Sequence, residues 1–145
     1  MYESTTIRLQ AHKGDSVNAP ENTMAAFRAA CDAGYGFIEL DPKFTSDGVC
    51  VIHHDWTVNR TGRLKSGEPL PPDTRVDGLT LTELNALDFG VWFSEEFRGE
   101  TISTFEEAIP YILSRGVSVK VDNVWERFTP EQQDALFGLV RRIGA

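Results

Sequence analysis

Strand-like and helix-like patterns alternate along this chain, and each strand pattern carries one polar face; few folds accommodate that combination. Residues 6–12, TIRLQAH, predict a short strand. Residues 20–34, PENTMAAFRAACDAG, predict a helix that opens at Pro20 and Glu21, closes at Gly34, and has Ala26, Phe27, Ala30 and Cys31 at helical spacing. A second strand is predicted in YGFIELDPKF, a turn in SDG at 46–48, and an extended run in VCVIHH. Thr104 and Glu107 form a capping-box pattern before FEEAIPYILSRG, where Pro110 is placed to kink the helix. VSVKVD predicts a third strand, and Thr129, Pro130 and Gln132 start a last helix reaching about Ile143. Residues 56–104 are rich in Gly, Pro, Asp and Thr and hold one short helix near 81–87, so they are expected to be an insertion.

This order predicts an α/β domain with a parallel sheet. Side chains two apart share a strand face, which groups Glu39, Asp41 and Lys43 against Ile38 and Leu40. The same parity groups Arg8, Gln10 and His12 on the first strand and Ser118, Lys120 and Asp122 on the third. Helices are expected to cover the opposite faces: Ile7, Leu9 and Ala11, and Val117, Val119 and Val121. Parallel sheets normally bury both faces, so the polar face suggests a barrel lumen with a site at its C-terminal end; an edge strand facing water is the alternative.

The chain of 145 residues is expected to form a single domain over 1–145, with 41% hydrophobic residues to build a core. Fourteen Lys plus Arg against twenty-two Asp plus Glu give a net charge of −8, and no basic run occurs, so nucleic acid and anionic membranes are poor candidate partners. No apolar run is long enough to span a membrane. The start, MYESTTIRLQ, lacks a signal-peptide pattern, so the chain reads as soluble and cytoplasmic, with a leader removed beforehand as the alternative. Cys31 and Cys50 lack metal-site spacing and read as buried thiols.

Hard oxygen ligands converge in this arrangement. Glu39 and Asp41 are close enough to share a cation, and Asp122, ending the third strand, can supply a third carboxylate. Such a set suits Ca²⁺ or Mg²⁺ and not a structural zinc. An isolated Glu-x-Asp pair is ordinarily solvated surface, and the cluster is more specific than its members. Histidine is the side chain suited to proton transfer near neutral pH, so His12 and His54, flanking a substrate, can act as general base and general acid. His53 and His54 leave an extended run on opposite faces, so only one of them can meet the metal.

These residues stand in AHKG at 11–14, PENT at 20–23, IELD at 38–41, TSDG at 45–48, VIHHD at 51–55 and NRTG at 59–62. Together with LTLTELNALDFGVWFSEEFRGETISTFEEA they resemble the glycerophosphodiester phosphodiesterase family over nearly the whole chain. The resemblance implies a (β/α)₈ TIM-type barrel, present as about three βα units plus the insertion, and hydrolysis of glycerophosphodiesters to glycerol 3-phosphate and an alcohol. It implies His12 and His54 as the catalytic pair, Glu39, Asp41 and Asp122 as ligands of Ca²⁺ or Mg²⁺, and Lys13 and Arg60 as phosphate contacts. The chain departs from the family in three places. Lys13 replaces an arginine, turning a bidentate fork into a point charge. Asp122 and Val124 replace a Glu-x-Lys pair, leaving Lys120 as a substitute cation. Ser103 replaces a proline. A complete barrel typically needs about 250 residues. The expectation is therefore either a piece of a longer enzyme or a chain that associates with itself through exposed edges; the alternative function is a truncated metal- or phosphate-binding module without turnover.

Overall fold

The computed structural model describes residues 7–122 and 127–144. Among them, two three-stranded sheets are present. The first is parallel, in the order β1 (Gln10–His12), β2 (Phe37–Leu40), β6 (Ser118–Val121), with His12 opposite Glu39 and Glu39 opposite Lys120. The second is antiparallel, in the order β3 (Pro42–Phe44), β4 (Cys50–Ile52), β5 (Ser103–Thr104).

The segment expected to be one strand over 35–44 is thus two strands that part at Asp41. Pro42, with no N–H to donate, starts the new strand, and Asp47–Gly48 turns the chain back onto it, Gly48 N donating to Thr45 O at 3.0 Å.

Local chemistry explains the helices. Helix α1 (Met24–Asp32) is capped by Thr23, whose hydroxyl accepts from Ala26 N, and it lays Met24, Ala26, Phe27 and Ala30 into the core. Helix α2 (Leu81–Asn85) has a reciprocal capping box between Thr80 and Glu83. Helix α3 (Phe105–Ser114) starts at Thr104, which accepts from Glu107 N, and continues through Pro110. Helix α4 (Pro130–Ile143) has Pro at its start, a capping box between Thr129 and Gln132, and Gly144 in the left-handed region at its end.

Phe27, Ile38, Leu40, Ile52, Phe105, Ile109 and Ile112 belong to one core joining helices α1 and α3 to both sheets. A second core, with Val51, Val58, Val76, Leu84, Phe89 and Ile102, sits inside the insertion and reaches β4 through Val51. Asp88 organises this insertion by accepting from the backbone N–H of Gly90, Val91 and Gly99.

One expectation about faces is corrected. Ile7 and Leu9 are not covered by a helix: they are 86% and 66% exposed, and only Ala11 of that face is buried. Among the described residues the polar faces of β1 and β6 are open to solvent, His12 and Lys120 both being exposed. Strand β2 and its continuation take polar residues into burial: Glu39, Asp41 and Lys43 are nearly as buried as Ile38 and Leu40. With a helix layer on one side and the β1–α1 loop on the other, the central strand is covered on both faces. Cys50 is buried, which pushes its thiol up to about 12, and Cys31 is half-buried; both are free.

Candidate active site

Three segments meet at the C-terminal end of β2. The β1–α1 loop arrives after His12 and is fastened to β2 by Lys13 N donating to Glu39 O at 2.9 Å. It folds back on itself through Asn22 N donating to Lys13 O at 2.9 Å. Lys13 and Asn22 have φ of 61° and 58°, a left-handed conformation uncommon for residues with a side chain. Gly14 follows at φ 79°, and a Cβ there would lie 2.8 Å from the Ala26 backbone carbon, so the close approach of loop to helix requires glycine.

Glu39 and Asp41 form the buried floor of this junction, at 3% and 0% exposure. The carboxyl of Glu39 is raised above its ordinary range by burial and then by the charge of Asp41; Asp122 adds to the rise, and His12 opposes it. Its Oε2 lies 3.4 Å from His12 Nε2 but has no hydrogen-bond partner. Asp41 Oδ2 accepts from Asn22 Nδ2 at 3.3 Å.

Asp122 follows β6, its backbone N donating to Leu40 O at 3.0 Å, and its half-exposed carboxylate accepts from Lys120 Nζ at 3.1 Å. Asp122 thus reaches Glu39 through its field and stands at the rim. Among the described residues, no three His, Cys, Asp or Glu side chains are grouped closely enough to hold an ion by themselves. Val124, the position of the missing lysine, lies outside the described residues.

His54 enters from β4 on the opposite side. Its Nδ1 is 2.6 Å from Asp55 Oδ1, and the half-exposed ring keeps Nε2 available. Asp55 is held in turn by Arg60 Nε at 2.7 Å. Arg60 grips Glu21 with both terminal nitrogens, at 2.9 and 2.6 Å, and Lys13 Nζ reaches the same carboxylate at 3.3 Å. Burial works against Asp55, yet Arg60 and His54 hold its carboxyl well below the ordinary range. Glu21, burial notwithstanding, is also lowered by Arg60 and Lys13, and Arg60 is raised by Glu21 and Asp55.

Lys13 and Arg60, expected as separate phosphate contacts, therefore share one carboxylate. That carboxylate, Glu21, was missed as a site residue; its place in PENT, just before helix α1, was the available signal. Lys43 was also missed as a special group: it is 2% exposed, with its ammonium over the Trp56 ring at 5.2 Å and burial lowering its pKa.

The profile of the Glycerophosphoryl diester phosphodiesterase family matches residues 12–143. The glycerophosphodiester phosphodiesterase of Caldanaerobacter subterraneus is 43% identical over 112 residues, covering 77% of this chain and 43% of that protein. Mouse glycerophosphodiester phosphodiesterase 1 is 38% identical over 114 residues, covering 77% and 32%. An Oleispira antarctica phosphodiesterase solved with its product sn-glycerol-3-phosphate superposes with a TM-score of 0.82 at 32% identity, covering 94% of this chain and 52% of that one. The chain thus spans less than half the length of these curated relatives. Its α/β fold, its motifs and the family profile agree, and the chain belongs to the glycerophosphodiester phosphodiesterase family.

Proposed function

We propose that this chain carries the catalytic residues of a metal-dependent glycerophosphodiester phosphodiesterase, built on the first part of a (β/α)₈ barrel, releasing sn-glycerol 3-phosphate and an alcohol. The observation that carries the reading is a buried carboxylate pair with one accessible imidazole, His12, 3.4 Å from Glu39, and a second, His54, backed by Asp55 and tied through Arg60 and Glu21 to the β1–α1 loop. Two carboxylates buried side by side, one with an oxygen, Glu39 Oε2, that no hydrogen bond satisfies, suit a hard divalent cation such as Ca²⁺ or Mg²⁺. Glu39 and Asp41 would hold it from below, and Asp122 would add a carboxylate at the rim after exchanging its contact with Lys120. The ion, when bound, neutralises the diester oxygens and the charge that develops on them.

The chain's own groups then divide the work. Asp55 accepts from His54 Nδ1–H, which leaves the Nε2 lone pair facing the open side as a proton acceptor or, once protonated, a donor. One histidine removes the proton from the nucleophile, water or the neighbouring glycerol hydroxyl, and the other gives a proton to the departing alcohol oxygen as the P–O bond breaks. Lys13, Arg60 and Lys120 would supply positive charge to attract the anionic phosphate. Glu21 keeps Lys13 and Arg60 together and, through Arg60, braces Asp55 behind His54.

The short span relative to the relatives favours a second reading, a module that binds ion and phosphate but turns over only with further chain. Incubation with glycerophosphocholine in Ca²⁺, Mg²⁺ or EDTA separates the two. Metal-dependent choline release supports the enzyme; ion binding without release supports the module. Among the described residues, no helix is long and apolar enough to cross a membrane.

A further inference from the structure

We infer that Asn22 is a direct ligand of the divalent cation, its Oδ1 supplying the neutral oxygen on the buried side of the Glu39–Asp41 pair. The inference rests on the cation reading above and goes beyond its three carboxylates. Asn22 is 4% exposed, and its Nδ2 donates to Asp41 Oδ2 at 3.3 Å. That bond fixes the orientation of the amide, because the opposite one would set Oδ1 against a carboxylate oxygen. Oδ1 is therefore the end left over, and it is buried with no hydrogen-bond partner.

Glu39 Oε2 is in the same condition. Among the described residues, three buried side-chain polar atoms lack a partner, and these are two of them. A buried acceptor left unsatisfied is destabilising. One of the two belongs to the buried acid pair, with only the exposed His12 ring at 3.4 Å, and the other is on the side chain hydrogen-bonded to that pair; both are oxygens set out for a positive charge.

The backbone is built to hold this arrangement. Asn22 sits at φ 58°, and its N–H is bonded to the carbonyl of Lys13, itself at φ 61°. The N–H of Lys13 is bonded to Glu39 O. Two uncommon conformations in register with the strand that carries both carboxylates mark a loop whose geometry serves the site. The carboxylates alone do not complete a ligand group among the described residues, Asp122 being engaged by Lys120. An amide oxygen is an ordinary ligand for Ca²⁺ and supplies the missing donor without adding a third charge to the buried side.

The competing account makes Asn22 only a donor that orients Asp41. Luminescence lifetimes of bound Tb³⁺ in H₂O and D₂O count the waters on the ion and separate the two. Asn22→Gly suits the positive φ and removes the oxygen. It is expected to raise the count by one and to weaken Ca²⁺ binding roughly tenfold by calorimetry. Asn22→Asp, which keeps an oxygen in place, is expected to leave the count at its wild-type value. Where the glycine variant loses its circular-dichroism signal, Asn22→Ser, too short to reach the ion, replaces it. An unchanged water count in the variant lacking the oxygen, whatever its affinity, overturns the ligand assignment and leaves the cation site standing. Failure of the wild-type chain to bind Tb³⁺ or Ca²⁺ removes the cation site and this inference with it.

Discussion

The ring of His53 is closed on both sides: Nδ1 lies 2.8 Å from the Asp55 carbonyl and Nε2 lies 2.9 Å from the Thr61 hydroxyl. A carbonyl only accepts, so Nδ1 carries the proton and Nε2 receives the hydroxyl hydrogen. Burial favours the neutral ring and takes its pKa down to about 4. An unfolded histidine titrates near 6.5, so the unfolded chain binds more protons below that pH. The stabilisation from a neutral His53 is accordingly complete above about pH 6.5 and is lost as pH falls toward 4. His53→Asn is expected to cost about 1–3 kcal/mol at pH 7. In thermal melts the gap between variant and wild type should narrow toward pH 4; a gap constant with pH would contradict the assignment. His54, half-exposed on the other side of the backbone, behaves differently. His54→Asn should abolish turnover while changing stability by less than about 1 kcal/mol. Asp55→Asn should lower kcat at least about a hundredfold, because the imidazole loses its orienting acceptor. Equal loss of turnover in the His53 and His54 variants, with the fold intact in both, would contradict the assignment.

At the scale of elements, the β1–α1 loop is what turns strand ends into a site. Its two backbone bonds to β2 and to itself place Lys13, Glu21 and Asn22 around the buried acids, and Gly14 makes the close packing on α1 possible. Gly14→Ala should therefore destabilise the fold by more than about 1 kcal/mol in denaturant unfolding, from both the positive φ and the overlap with Ala26. A melting curve matching wild type would show that the loop yields easily. Helix starts were legible in the sequence because their chemistry is local: Thr104 and Glu107, or Thr129 and Gln132, need no distant partner. Two-residue parity also put His53 and His54 on different sides. The division of 35–44 into two strands was not legible, because the antiparallel partner of Pro42–Phe44 lies across the Asp47–Gly48 turn, and pairing is a tertiary choice. Nor could parity tell a lumen from solvent: Glu39 and Lys120 are opposite each other in register, one buried and the other exposed. Glu21 escaped notice because its partners, Lys13 and Arg60, are brought to it only by the folded loop.

For the whole molecule, β1 and β6 are the outer strands of the parallel sheet among the described residues, each with one unpaired edge, and Ile7 and Leu9 stand exposed beside β1. Such edges and apolar side chains invite pairing with further chain. The isolated polypeptide of 16.2 kDa is expected to scatter light as a species heavier than one chain; a monodisperse monomer with full metal-dependent turnover would show that the site needs no more scaffold than this. The function proposed for the molecule depends on its negative floor taking up a cation, since a protein of net charge −8 otherwise repels a phosphodiester. Calorimetric titration of the chain with Ca²⁺ and Mg²⁺ tests that dependence most directly. The account predicts one saturable ion per chain, binding lost in Glu39→Gln and in Asp41→Asn, and binding weakened in Asp122→Ala. No binding by the wild-type chain, or equal binding by the Glu39 and Asp41 variants, would contradict it.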